Sequence, residues 1–297
     1  MNNFDMKGDN MEYIVGKTAG FCFGVKNAVN SAMVNLEKEK SMCCLGEIVH
    51  NREVVEELQS MGMNFIEDLN ENTTRKATII RAHGVSKEIY EKAEKSGIRL
   101  VDLTCPFVLK IHRMVEEHAK EGYYIFLVGA KSHPETIGTA GFCGNNYSTI
   151  ESSEDIENAI KDFEESKCNK IFMAVQTTFN LEKYGDYANY VRNYCEENKV
   201  ENKIENTICL ATKERQEETG KISKEVDFMI VIGGKNSSNT KKLYDIAKKN
   251  CNDTICVETV NDIDSNLLNG KHKVGIMAGA STPQSSIDKV VELVKNK

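Results

Sequence analysis

Three cysteines head the chemistry open to this chain: Cys22 in GFCFGV, Cys105 in LTCPFV and Cys209 in TICLAT. Each stands 28 residues before a polar residue, namely His50, His133 and Ser237. A second interval recurs: Thr177 follows Cys105 by 72 residues, Ser281 follows Cys209 by 72, and His83 follows Cys22 by only 61. A single cysteine is more often a small buried hydrophobe than a ligand. Cys43, Cys44, Cys143, Cys168, Cys195, Cys251 and Cys256 are read in that way. The three repeated cysteines differ because each occupies the same junction between a strand and a helix. A helix entrance favours thiolate, and Pro106 sets such an entrance directly after Cys105. No local Cys-x2-Cys pair is present. Three thiolates brought together could bind zinc with a fourth position open. They could equally hold a 4Fe–4S cluster through three irons, with one iron left open.

Polar loops accompany each cysteine. The first stretch carries IVHN with His50 and RAHGVS with His83; the second carries SHPET with His133 and Glu135, then QTT with Gln176, Thr177 and Thr178. The third carries KNSSN with Ser237, Ser238 and Asn239, then GAST with Ser281. A lone Ser, Thr or Asn at such a place is first an N-cap. Several helix starts converging on one centre present unpaired N–H groups and suit an anion such as a diphosphate. The histidines carry more weight, because three of the six fall in these loops. His112, His118 and His272 are read as surface residues. Glu135 gains a few tenths of a kcal/mol from a helix dipole as a structural residue. Near a bound substrate it could instead relay protons together with Thr177.

The elements that must position these residues alternate between strand and helix, which implies α/β architecture with mainly parallel sheets. Strands are predicted near residues 13–15, 42–48, 65–66 and 78–81, then 98–103, 123–128, 148–150 and 171–175. A third set falls near 204–208, 227–232, 254–257 and 273–278. Four strands per copy give three α/β domains, at 1–104, 105–205 and 206–285. The helix at 286–297 is expected to pack back on the first domain, and residues 1–11 form a polar tail without an assigned role. Pro106, Pro134 and Pro283, the only prolines, mark three helix starts. An apolar residue followed by Glu recurs at Ile66-Glu67, Ile150-Glu151 and Val257-Glu258.

Composition narrows the function. The 297 residues supply ample core for several modest domains. A net charge of −7 and a pI near 5.6 argue against general nucleic-acid binding. The opening residues lack the apolar run of a signal peptide, and no stretch approaches the roughly 18 apolar residues of a membrane span. The expected location is therefore cytoplasmic, where ten cysteines stay reduced.

The strings GFCFGV, IVHNREVV, RAHGVS, LTCPFVLK, HPETIGT, QTT, NTICLATKERQ, KNSSNTKKL and GAST together resemble the IspH/LytB family of 4-hydroxy-3-methylbut-2-enyl diphosphate reductases. The resemblance runs from Gly20 to about Pro283. It implies three pseudo-threefold-related α/β domains around a central 4Fe–4S cluster, with Cys22, Cys105 and Cys209 as its ligands. It also implies reductive dehydroxylation of the diphosphate substrate to isopentenyl and dimethylallyl diphosphates, the last step of the non-mevalonate isoprenoid pathway. The substrate hydroxyl would bind the open iron, electrons would enter singly, and Glu135, Thr177 and His133 would serve catalysis. His50, His83, His133, Thr177, Ser237, Ser238, Asn239 and Ser281 would hold the substrate. The implied partners are reduced ferredoxin or flavodoxin, with the chain a monomer or weak homodimer and no nucleic acid or membrane involved. Phe23, Thr136, Asn180 and Gln284 depart from the family pattern without removing a chemical group.

Overall fold

Every strand among the described residues lies in one of three parallel, four-stranded sheets, in a computed structural model that describes residues 11–297 except Arg75. The polar segment at 1–10 lies outside the described residues. From its start the described chain runs β1 (Glu12–Val15), α1 (Phe23–Glu39), β2 (Met42–Leu45), α2 (Arg52–Ser60), β3 (Met63–Ile66), β4 (Thr78–Ile80), α3 (Lys87–Ser96) and β5 (Leu100–Asp102). It continues through α4 (Pro106–Lys120), β6 (Tyr124–Val128), α5 (Pro134–Ala140), β7 (Tyr147–Ile150), α6 (Ser153–Glu165), β8 (Lys170–Val175), α7 (Leu181–Asn198) and β9 (Glu201–Ile204). The last stretch is α8 (Leu210–Ile222), β10 (Phe228–Ile232), α9 (Ser238–Asn250), β11 (Thr254–Val257), β12 (Lys273–Ala278) and α10 (Gln284–Lys295).

The strand orders are β3-β2-β4-β5, β7-β6-β8-β9 and β11-β10-β12-β1, so all three sheets repeat one arrangement. This corrects where three strands belong. The strand before each cysteine closes the preceding sheet as an edge and does not open a new one. β5 pairs β4, β9 pairs β8, and β1 pairs β12. Composition explains the difference. Central strands such as YIFLV and FMIVI are apolar throughout and buried on both faces, whereas ENKI of β9 is partly exposed, as an edge requires.

Two compact units result: residues 11–21 with 214–297, and Cys22–Lys213. The first holds the sheet β11-β10-β12-β1. Its core joins Phe228, Ile230, Ile232, Val274 and Ile276 to Ile287, Val290 and Val294 of α10. The C-terminal helix packs on this sheet, and the same core takes in Met11, Val15 and Ala19 from the start of the chain. The second unit holds the other two sheets. One core gathers Leu45, Ile66 and Ile80, and another gathers Phe126, Val128, Met173 and Val175 with the stripes of α6 and α7. Among the described residues, no helix is long and apolar enough to cross a membrane.

Pro106 and Pro134 open α4 and α5 at their first helical positions, and Pro283 caps α10. The recurring Glu has a structural task in the second and third sheets. Glu151 Oε2 accepts the backbone N–H of Lys131 at 2.9 Å, and Glu258 Oε1 accepts that of Lys235 at 2.8 Å. Each carboxylate pins a loop two residues before His133 or Ser237, the residues that follow the cysteines by 28.

Candidate functional site

All three repeated cysteines belong to the Cys22–Lys213 unit, and each sits at a helix start. Cys22 caps α1, with its Sγ accepting the Val25 N–H at 3.5 Å. Cys105 caps α4. Cys209 precedes α8, and its Sγ lies 3.1 Å from Thr212 Oγ1. The three thiols are close enough to act on one another electrostatically. Burial first, and then the neighbouring Cys22 and Cys209, push the Cys105 thiol up to about 11. Burial likewise raises the Cys209 thiol, with Cys22 and Glu135 adding to the rise. Gly24 shows how tightly the first two helix starts meet. A Cβ on it would lie 2.6 Å from Cys105 Sγ, closer than side chains tolerate.

All ten cysteines are free, and Cys43, Cys44, Cys143, Cys195 and Cys251 are buried, as the packing role requires. Cys168 is half-buried and Cys256 exposed. The convergent set is three soft sulfur donors at the positive ends of three helices, with space kept by a glycine. That donor set fits an iron–sulfur cluster held through three irons. Metal removes the thiol protons, so the raised values describe the protein without it.

Three histidines form a second group in the same unit. His50, His83 and His133 bring ring nitrogens within 4.8 Å of one another. His50 stacks on His83 with centroids 4.8 Å apart, and His133 meets His83 edge-on at 5.3 Å. His133 caps α5, and its Nδ1 accepts the Glu135 N–H at 3.2 Å, so the neutral ring carries its proton on Nε2. His50 Nδ1 faces Glu47 Oε2 at 3.4 Å. His83 Nδ1 is buried with no hydrogen-bond partner among the described residues. Burial holds His50 and His83 below the usual histidine range; for His83 the neighbouring His50, His133 and Arg81 lower it further.

Arg81 is the residue that sequence reasoning missed. Its guanidinium lies where a side chain on Gly46 would be, with Nη1 only 2.1 Å from an ideal Cβ there. Burial lowers its pKa, but a guanidinium stays charged. A fixed positive charge beside three imidazoles disfavours a metal cation and favours an anion. Its signal was present in RAHGVS, two residues before His83. Thr212 was missed too, although it stands three residues after Cys209, within reach of an N-cap side chain.

Glu135 and Thr177 form the third group. Glu135 is 2 % exposed. Its Oε1 accepts the Thr177 N–H at 2.6 Å, and its Oε2 accepts the Thr177 hydroxyl at 2.6 Å. Burial pushes the carboxyl up to about 7, against the lowering effect of both Thr177 bonds. Thr177 also offers its carbonyl to the Cys209 N–H at 3.2 Å. One residue therefore ties the buried acid to a thiol-bearing helix start. Gln176 braces the same loop by accepting the Ala130 N–H at 3.1 Å and donating to Thr178 Oγ1 at 2.8 Å.

The remaining site residues lie in the other unit. Ser237 caps α9 and accepts the Thr240 N–H at 3.2 Å; Ser238 and Asn239 follow in its first turn. Asn239 is buried with neither carboxamide atom partnered among the described residues. Ser281 is buried in the loop after β12. An unsatisfied buried amide carries a cost of about 1–3 kcal/mol, which a ligand would remove.

One histidine was misread. His112 is 2 % exposed and not a surface residue. It lies on the apolar face of α4 with Val108, Ile111 and Val115, and stacks on Phe142 at 4.4 Å. Burial pushes it down to about 4, so the ring is neutral. His118 is half-buried, stacked on Phe172 at 3.9 Å with Nδ1 donating to the Met114 carbonyl at 2.7 Å. His272 is exposed as read.

Comparison with known proteins follows the same lines. Residues 14–295 match the family model described as LytB protein. A 4-hydroxy-3-methylbut-2-enyl diphosphate reductase of Caldanaerobacter subterraneus subsp. tengcongensis is 42% identical over 291 residues, covering 96% of this chain and 97% of the relative. One of Clostridioides difficile is 40% identical over 290 residues, covering 96% and 100%. Among solved structures, the E-1-hydroxy-2-methyl-but-2-enyl-4-diphosphate reductase of Plasmodium falciparum aligns with a TM-score of 0.86 at 33% identity. It covers 96% of this chain and 88% of that one. A structure of (E)-4-hydroxy-3-methyl-but-2-enyl diphosphate reductase, described as the terminal enzyme of the non-mevalonate pathway, aligns at 0.69 with 37% identity, covering 97% and 100%.

Proposed function

The chain belongs to the LytB family of iron–sulfur enzymes, and from that premise we propose that it is a 4-hydroxy-3-methylbut-2-enyl diphosphate reductase. The reaction replaces the C4 hydroxyl by hydrogen. It consumes two electrons and two protons, releases one water, and gives isopentenyl and dimethylallyl diphosphates. The observation that carries this reading is the Thr177 junction, where one residue holds both the buried Glu135 carboxyl and the Cys209 helix start.

Cys22, Cys105 and Cys209 are the ligands of a 4Fe–4S cluster in this account. When bound, such a cluster supplies electrons singly and Lewis acidity at its open iron. The protein's own residues do the rest. His50, His83 and His133, beside the Arg81 charge, grip diphosphate oxygens. His133 donates from Nε2, because its Nδ1 is already occupied by the Glu135 N–H. Ser237, Ser238, Asn239 and Ser281 offer hydroxyl and amide donors suited to the same kind of anion.

Glu135 is the proton source. A carboxyl titrating near 7 is matched to acid–base work at neutral pH. Thr177, held at 2.6 Å by its hydroxyl, relays the proton to the leaving oxygen. Water departs, and a second proton completes the product at either end of the allylic system. The test is anaerobic reconstitution followed by turnover of the diphosphate substrate, with each of the three cysteines replaced in turn. Product from wild type, and none from the three variants, supports the reading. Wild type that loads iron and sulfide yet yields no product overturns it.

A further inference from the structure

The turn that carries Arg81 and His83 is clamped by two helices. Gly84 closes it by donating its N–H to the Arg81 carbonyl at 3.0 Å. The Cys105 N–H, at the start of α4, reaches the Ala82 carbonyl at 3.0 Å. α5 packs on the next residues by its glycines. A Cβ on Gly138 would lie 3.3 Å from the Val85 backbone, and one on Gly141 only 2.4 Å from Ser86 Cβ. Contacts that close leave Val85 and Ser86 no room to shift toward α5.

His112, two turns into α4, meets both parts of the clamp. Gly84 has a φ of +72°, and a Cβ there would stand 2.8 Å from His112 Cε1 and 3.0 Å from Thr104 Cγ2. Thr104 is itself fixed: its N–H donates to Asp102 Oδ1 at 2.9 Å, and the Tyr90 hydroxyl donates to Asp102 Oδ2 at 2.8 Å. The His112 ring stacks on Phe142, just past the end of α5, with centroids 4.4 Å apart. It stands as a wedge between Gly84 and Phe142. The other buried side chains of α4 are Val108, Ile111 and Val115. Neither His112 nitrogen has a hydrogen-bond partner among the described residues, a desolvation cost that an apolar side chain would avoid. A position shaped by stability alone would be apolar like its neighbours. The imidazole supplies a flat five-membered ring, thin enough for the close approach of Gly84 and able to stack.

We propose that His112 is a positioning residue of the anion site, its ring holding the turn of Arg81 and His83 at a fixed distance from α4 and α5. The inference rests on the reductase reading, which makes the anion a diphosphate. His112 acts through Gly84, and so through His83 and Arg81, one and three residues earlier. It gives the α4 helix, which begins at the Cys105 thiol, a second hold on the turn besides the Cys105 N–H.

The test compares wild type with His112→Ala, Gly84→Ala, the double variant of both, and Val115→Ala, all reconstituted anaerobically to equal iron and sulfide content. Inorganic pyrophosphate binding is measured by calorimetry, and KM and kcat with the diphosphate substrate. His112→Ala and Gly84→Ala should each bind pyrophosphate about tenfold more weakly and raise KM to match, with kcat changed less than about threefold. Gly84→Ala should cost clearly less in the His112→Ala background, because the ring that its methyl group meets is gone. Val115→Ala, which opens a cavity further along the same buried face, should bind as wild type does. His112→Leu, which fills the space without a flat ring, repeats the comparison if His112→Ala fails to load its cluster. Wild-type affinity in the single variants, an equal loss in Val115→Ala, or strict additivity in the double variant would overturn the positioning role alone. Wild type that binds no pyrophosphate and turns over no substrate would overturn the reductase reading, and the diphosphate with it.

Discussion

Replacing Glu135 by Gln tests the buried acid in two independent ways. The folded protein raises this carboxyl from 4.5 to about 7, chiefly by burial. That rise corresponds to about 3 kcal/mol between the two protonation states. Between pH 4.5 and 7 the folded chain keeps a proton that the unfolded chain has released, so this group's contribution to stability falls as pH rises through that window. Gln cannot titrate. Its carbonyl can still accept the Thr177 N–H, and its amide can donate to a reoriented Thr177 hydroxyl. The variant should therefore gain stability relative to wild type as pH rises, by about 3 kcal/mol between pH 4 and pH 8. Urea denaturation of both proteins across that range measures the change in the gap. Turnover of the same variant should fall about 10²–10⁴-fold, with diphosphate binding retained. A gap that stays constant with pH would refute the buried-carboxyl argument. Near-normal turnover would refute the proton role.

Thr177→Ala removes the hydroxyl that lowers the Glu135 pKa, so the alkaline limb of the rate profile should move to higher pH and kcat should drop; Thr177→Ser should restore both in a kcat-against-pH series. Gly24→Ala places a methyl group 2.6 Å from Cys105 Sγ, so iron and sulfide content after anaerobic reconstitution should fall well below wild type. Inorganic pyrophosphate should bind with net proton uptake, because His50 and His83 are held below the ordinary histidine range in the free protein and an anion favours their charged forms. Its affinity should strengthen as pH falls from 8 toward 6; calorimetry in two buffers of different ionisation enthalpy gives the proton count.

Much of this was legible because repetition exposes equivalent positions. The interval between Cys105 and His133 recurs between Cys209 and Ser237, and each interval spans a helix, a central strand and the loop after it. Composition also separated central strands from loops. Sheet membership of the edge strands was not legible, since a short strand such as Leu100–Asp102 reads the same whether it opens one sheet or closes another. Only its pairing with β4 decides. His112 was misread because a histidine seven residues after Cys105 reads as polar, and only the ring of Phe142 above it makes the position a core site. Arg81 was overlooked because its importance lies in its path beneath Gly46, a contact 35 residues away in the chain.

The central claim is that this protein reduces its substrate and does not merely dehydrate or hydrolyse it. Reductant consumed per product, measured anaerobically on reconstituted wild type with the diphosphate substrate, tests that claim most directly. The account predicts about two electrons for each isopentenyl or dimethylallyl diphosphate formed, from a protein carrying about four irons and about four sulfides. Product formed without consumption of reductant, or by a protein that holds zinc and no sulfide, would contradict it.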